Sequence, residues 1–414
     1  MELALKNQLL AGFGKVDVTP TGPVHLGSCG NAMERISEGI KDHFYALTLA
    51  LTDETGETLL IIVTDLSWGD NRYQAGPVRQ AIWEKHGIPA ERVILGGTHN
   101  HSGPAWCGAA VETERNRAYF EIWYEGVAKS VEMALADRKP ATFEIGRTRT
   151  ENLAFVRRYF REDGTFLGGG PKKFQIQSDS PIVRHESEAD EEVQLVRIRR
   201  EGGKNIIIGQ WQNHGCHTGN TRIAGTDWIG PMREQVEAEI GCHYLYLQGC
   251  AGNIDTRSKI ASEYPRKKTT DEIATEVAKV MIEACKKEET FTPICTGQIR
   301  GKQSHYNGID FEDDPWTGEL NTLSIGDLSI VTFPVEMFAK SGIDIKEKTP
   351  FMMTLLMGYT NGVTGYSPDY ESYLNGGYET ISLGALGTAE ELVDIHLSKL
   401  NELYDEWKCK RQED

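Results

Sequence analysis

The chain has 414 residues, 39% of them apolar and 43 of them glycine, and a formal net charge of −17. Such a chain buries a large core, as one α/β domain or two closely fused halves, and its composition excludes disorder, collagen and coiled coil. So acidic a surface repels phosphates, so neither nucleic acid nor stable membrane association is expected.

The N-terminal MELALKNQLLAGFGKVDVTP lacks a basic leader, an adequate apolar stretch and a small-residue cleavage site, and does not read as a signal peptide. No later apolar run approaches the roughly 20 residues that span a bilayer, so a cytoplasmic location is expected. TLLIIVTD (58–65) reads as a strand ending at Asp65, and GPVRQAIWEKHG (76–87) as a helix with Pro77 near its start and Gly87 past its end. RVILGGTHNH (92–101) is a strand running into His99 and His101, and an amphipathic helix over 117–140 is expected to stop at Pro140. The segment 160–190, with Gly168 to Gly170 and few apolar residues, reads as a long loop. NIIIGQWQNHGCH (205–217) runs to His217, HYLYLQG (243–249) to a glycine turn and LSIVTFPVE (328–336) to Glu336. Thr388 and Glu391 fit a capping box opening a C-terminal helix. Strands alternating with helices predict an α/β fold, a mixed β-sheet core with flanking helices, in a single domain over 1–414. Four apolar runs deliver a His, Asp or Glu at their C-terminal ends, the edge where open α/β sheets bind ligands. The eight cysteines are scattered without a CxxC pair and are expected to be buried free thiols.

The sharpest local feature is Thr98-His99-Asn100-His101-Ser102-Gly103-Pro104. On an extended backbone, residues two apart share a face, so His99 and His101 can hold one metal, or one ring can hold it while the other moves protons. In His214-Gly215-Cys216-His217 a spacing of three lets at most one ring join the first pair, and Cys216 reads as a packing thiol. Spacing alone does not place Glu336 or the tyrosines 366, 370, 373 and 378. From the residues themselves the reading ends at a metal site around His99 and His101 with unidentified partners.

In these residues and in their order, the chain resembles the catalytic domain of the neutral/alkaline (non-lysosomal) ceramidases. The resemblance runs through GFGKVDVTP (12–20), KDHFYALTLALTD (41–53), IIVTDL (61–66), GTHNHSGP (97–104) and VRRYFREDGT (156–165). It continues through NHGCHTGN (213–220), AGTDWIGP (224–231), LQGCAGNID (247–255), TFPVE (332–336) and TGYSPDYESYLNGGYET (364–380). It implies a zinc-dependent amidohydrolase in which His99, His217, Glu336 and Tyr378 hold one Zn2+. His101 would serve as general base and acid to a metal-activated water, and Arg157 and Tyr366 would stabilise the tetrahedral oxyanion. Asp65 and Asp227 would sit behind the ligands, orienting imidazoles.

The chain departs from the family pattern at Gly249, where larger members carry Ser, at Thr218 for the usual Pro, and at Val156 for Asn. The resemblance covers the catalytic domain alone, and no immunoglobulin-like domain of the kind in the secreted ceramidases is expected. The expected substrate is therefore a small soluble N-acyl compound rather than membrane ceramide. Alternatives from other classes are an esterase, lactonase or carbohydrate-processing hydrolase using the same zinc site, or a non-catalytic metal-containing binding protein. Barrel-type amidohydrolases also begin with His-x-His, but eight strand–helix units cannot be counted here. The sequence leaves the oligomeric state open.

Overall fold

The computed structural model describes residues 9–28, 31–67, 74–106, 108–170, 175–309, 315–362, 365–380 and 386–413. Its centre is a nine-stranded mixed sheet. From edge to edge the strands are His243–Gln248, Ile206–Trp211, Glu192–Arg200, Lys139–Arg149, Leu9–Asp17, Tyr45–Thr52, Thr58–Thr64 and Val93–Gly97, with Phe291–Pro293 also pairing Lys139–Arg149. The two edge pairs are parallel and the interior is antiparallel. The mixed α/β core read from the sequence is the one observed.

A second, four-stranded sheet orders as Ile299–Ile309, Pro315–Ile325, Leu328–Thr332 and Met353–Met357. It lies face to face with the first. One apolar cluster joins Leu9, Leu49, Ile61 and Ile208 of the large sheet to Leu323, Ile330 and Leu355 of the small one. Helices α1 (Ala75–His86) and α2 (Glu114–Ala136) share a core with the large sheet's outer face, as do α3 (Ile229–Ile240) and α4 (Thr270–Lys286) towards its other end. Helices α5 (Ala339–Lys348) and, beyond the short α6 (Tyr370–Asn375), α7 (Thr388–Glu413) cover the small sheet. The result is four layers, helix, sheet, sheet, helix, with the strands buried on both faces as their Val, Ile and Leu runs require.

Three expectations change in detail. Helix α2 ends at Asp137, which caps it, and Pro140 is already inside the following strand. The segment 160–190 is not one loop: Tyr159–Arg161, Phe166–Leu167 and Ile182–His185 form a small antiparallel sheet. Among the cysteines, Cys216, Cys242, Cys250 and Cys285 are buried free thiols but Cys295 and Cys409 are exposed, and Cys29 and Cys107 lie outside the described residues. No helix among the described residues is long and apolar enough to cross a membrane.

Candidate metal centre

The site forms where the segments that follow four strands, two from each sheet, come together. Val93–Gly97 leads to His99 and His101, Ile206–Trp211 to His214, Leu328–Thr332 to Glu336, and Met353–Met357 to Tyr359. The segments after these strands are tied together, the His101 N–H donating to Gly215 O, the Gly358 N–H to Gln248 O and Gly96 bridging to Thr360, so residues far apart in sequence converge.

The two rings of the His-x-His pair meet, but not through strand pleat. The strand stops at Gly97, and His99 takes a left-handed backbone, φ 56°, with its N–H on Leu66 O. Next, the His101 N–H donates to Gly215 O and Asn100 bridges to Gly215, stitching this loop to the second histidine segment. His99 Nε2 then lies 3.1 Å from His101 Nε2 and 3.1 Å from His214 Nε2. Glu336 Oε2 is 3.4 Å from His99 Nε2 and 3.3 Å from His214 Nε2. These three histidines form a group that could hold a metal ion.

His217 is not part of it, which corrects the expected ligand. Its Nδ1 is 2.6 Å from the Thr256 hydroxyl and its Nε2 2.8 Å from Lys268 O, so both ring nitrogens are engaged elsewhere. The chain turns between the two histidines, and it is His214, the earlier one, that faces His99.

Hydrogen bonding fixes the tautomers of two rings. A carbonyl can only accept, so His99 Nδ1–H donates to Ser67 O at 2.7 Å and His214 Nδ1–H to Ala251 O at 2.6 Å. Each Nε2 therefore carries a lone pair, and both lone pairs point at the other and at the Glu336 carboxylate. Burial holds His214 down at about 4 and His101 well below the usual imidazole range, so protonating a ring is a poor remedy. Burial works to raise Glu336, yet the neighbouring imidazoles keep it well below the usual carboxylate range. Several buried electron-pair donors aimed at one point are the donor set a cation needs.

Two carboxylates expected behind the imidazoles do other work. Asp65 binds Arg233 through two bonds of 2.8 and 2.7 Å, both side chains fully buried, and takes the Tyr45 N–H. Asp227 accepts the N–H groups of His217, Thr218 and Trp228 and so shapes the second loop. The groups that orient the imidazoles are backbone carbonyls, which sequence inspection has no means of assigning. Tyr359 was also missed. Its ring stacks on His99 at 3.9 Å between centroids and its hydroxyl reaches Glu336 Oε2 at 3.4 Å.

Beside the histidines stands a second trio. The Tyr366 and Tyr378 hydroxyls are 2.8 Å apart, and Arg157 Nη2 lies 3.1 Å from the first, 2.8 Å from the second and 2.8 Å from Gly252 O. Tyr366 is the phenol beside the carboxylate, because its short strand pairs with Glu336 residue for residue. Burial and then Glu336 raise Tyr366 well above the usual phenol range, and burial raises Tyr378 against the pull of Arg157. Behind them Arg158 is locked between Glu186 and Glu379, and Glu379 also lies 3.5 Å from Arg157 Nε. Gly168 to Gly170 pass directly over this trio. A Cβ on Gly170, φ 72°, would sit 2.3 Å from Tyr378 Cδ1, so the glycines permit close approach rather than cradle an anion.

This two-sheet architecture is the neutral-ceramidase fold. A neutral ceramidase structure from Pseudomonas aeruginosa superimposes with a TM-score of 0.74 at 16% identity, covering 94% of this chain and 73% of that one. A ceramidase complexed with C2 gives 0.76 at 16% identity, covering 96% of this chain and 76% of that one. No protein-family model matches the chain.

Proposed function

We propose that the protein is a zinc-dependent hydrolase of the amide bond of an N-acyl compound, with a small soluble substrate. The observation that carries this reading is the spacing of the donors. Ligands bonded to zinc at about 2.0–2.1 Å in a tetrahedron lie about 3.3 Å from one another. The three edges measured among His99, His214 and Glu336 are 3.1, 3.4 and 3.3 Å. Those three residues are assigned as ligands, with Tyr366, beside Glu336, as the fourth in place of Tyr378. When bound, the cation would supply Lewis acidity and bring the pKa of a water from about 15.7 toward 7.

The chain's own groups divide the remaining tasks. His101 is the most open of the three histidines, 9% exposed against 1% for His99 and 0% for His214, so it can exchange protons with solvent. It takes a proton from the attacking water at Nε2 and returns one to the leaving amine. Arg157 and Tyr378 donate to the oxygen that becomes negative in the tetrahedral state, and one preorganised donor of this kind contributes about 3–4 kcal/mol. Support for an amide substrate comes from the shared fold with ceramidases.

The test is to assay the purified protein on matched acyl-amides and esters before and after chelation, and to measure bound metal. One equivalent of zinc and amide turnover that disappears on chelation and returns with zinc are expected. Full activity in metal-free protein, or cleavage of esters alone, would overturn the assignment.

A further inference from the structure

Outward from the candidate metal centre, the ribbon that carries Arg157 also carries Arg257, paired with Asp255, and Lys259, which like Arg161 has no carboxylate partner among the described residues. Arg157 stands on a ribbon in which Phe155 pairs Asp255 and Arg157 N–H donates to Asn253 O. Two residues beyond that pairing, Arg257 grips Asp255 through Nε and Nη2, both at 2.9 Å, and Nη2 also reaches back to Cys216 O at 3.4 Å, two residues from His214. The remaining nitrogen, Nη1, has no partner among the described residues, and the side chain is 42% exposed against 13% for Arg157. Next comes Lys259, exposed, its N–H on the Tyr159 hydroxyl and its ammonium 5.7 Å from the centre of that ring. Arg161, two residues from Tyr159 and so on the same face of its strand, bonds among the described residues only Thr165 and the carbonyl of Ile176.

Among the described residues neither Lys259 nor Arg161 pairs with a carboxylate. In a chain with 61 acidic and 44 basic side chains, that is a departure needing a cause. Neighbouring like charges repel, and partial shielding and then Arg161 hold the Lys259 ammonium below the usual lysine range. An anion placed between them would relieve both.

We infer that Arg257 and Lys259 form a carboxylate subsite at the mouth of the metal centre, selecting amides that carry a free carboxylate, such as N-acyl amino acids. The inference rests on the amide-hydrolase reading and adds the substrate class to it. Arg257 Nη1 and, two residues along the chain, the Lys259 ammonium would be the donors to the carboxylate, with Arg161 adding to the positive field around Lys259. Acidic surroundings repel other anions, so the local reversal of sign gives selectivity as well as attraction.

The test uses the zinc-loaded full chain and three probes: N-hexanoylglycine, N-propylsuccinamic acid, whose carboxylate is on the acyl side, and neutral N-propylhexanamide. Binding is read by calorimetry and turnover by amine release. At least a tenfold advantage in affinity or kcat/KM is expected for one carboxylate probe over the neutral amide, and which one tells on which side of the bond the subsite lies. Lys259→Gln, which breaks no ion pair, and Arg257→Gln should each shrink that ratio threefold or more. Equal handling of all three probes would overturn the subsite while leaving amide hydrolysis standing, as would an advantage that survives both substitutions. Charge-dependent binding of N-hexanoylglycine without cleavage of any probe would keep the subsite and remove the hydrolase. If nothing binds and nothing is cleaved, both fall.

Discussion

The loops at 97–103 and 213–218 each carry two histidines, yet the first brings both rings to the candidate metal centre and the second brings one. The difference lies in what the backbone does between the rings. In the first loop a left-handed residue at His99 tightens the chain, and the next two residues are pinned to Gly215. In the second, Asp227 gathers the N–H groups of His217 and Thr218 and pulls the later histidine towards Thr256 and Lys268. A histidine's presence near a strand end is therefore weak information; the direction of the turn that follows decides its role.

The most severe way to break the comparison is to exchange the roles by mutation. His214→Ala should lose bound zinc and lower turnover by about a thousandfold or more, as loss of a metal ligand and its electrostatic contribution implies. His217→Ala should keep stoichiometric metal and most activity, with a stability cost of about 1–2 kcal/mol for its two hydrogen bonds. Metal analysis beside kcat separates the two, and zinc loss from the second variant would refute the assignment. Next in size is the support beneath the first loop. Arg233→Leu strands the buried Asp65 carboxylate, and denaturant unfolding should show a loss of roughly 3–5 kcal/mol.

A smaller effect sharpens the picture around His99. Tyr359→Phe keeps the stacked ring but loses the hydroxyl near Glu336 and should weaken zinc binding by about tenfold, whereas groups behind metal ligands often count for 10–100-fold. Competition with a metal indicator would measure it, and unchanged affinity would mean the ring alone matters. The smallest change is expected from Asp227→Ala. It frees the second loop's N–H groups at a cost of about 1–2 kcal/mol, with zinc content unaltered. Zinc loss there would mean that the two ends of that loop are coupled.

Much of this was legible in the sequence, and for identifiable reasons. Apolar runs that end in chemistry-bearing residues located His99, His101 and Glu336 at strand exits, because burial on both faces leaves a strong signature in composition. His101's neighbour relation to His99 was anticipated from a pleat that the structure does not use, so the right pair came from the wrong geometry. His214 and His217 could not be told apart, since three residues of unknown turn separate them. Tyr366 and Tyr378 presented the same difficulty, and the register that sets Tyr366 against Glu336 is visible only in the fold. The second sheet escaped notice because periodicity names strands without saying which sheet receives them. Ser67 O and Ala251 O were invisible for a simpler reason: every residue has a carbonyl.

The glycines above Tyr378 carry one more implication. With Gly170 pressed against that ring, the phenol's position is cast by an empty space, much as a mould shapes by its hollow. Adding a single methyl at Gly170 should therefore damage turnover more than removing the phenol's oxygen does, because it shifts the whole ring and the guanidinium bonded to it. Evolution could retune the donors of this site without touching any of them, by filling or widening the gap overhead.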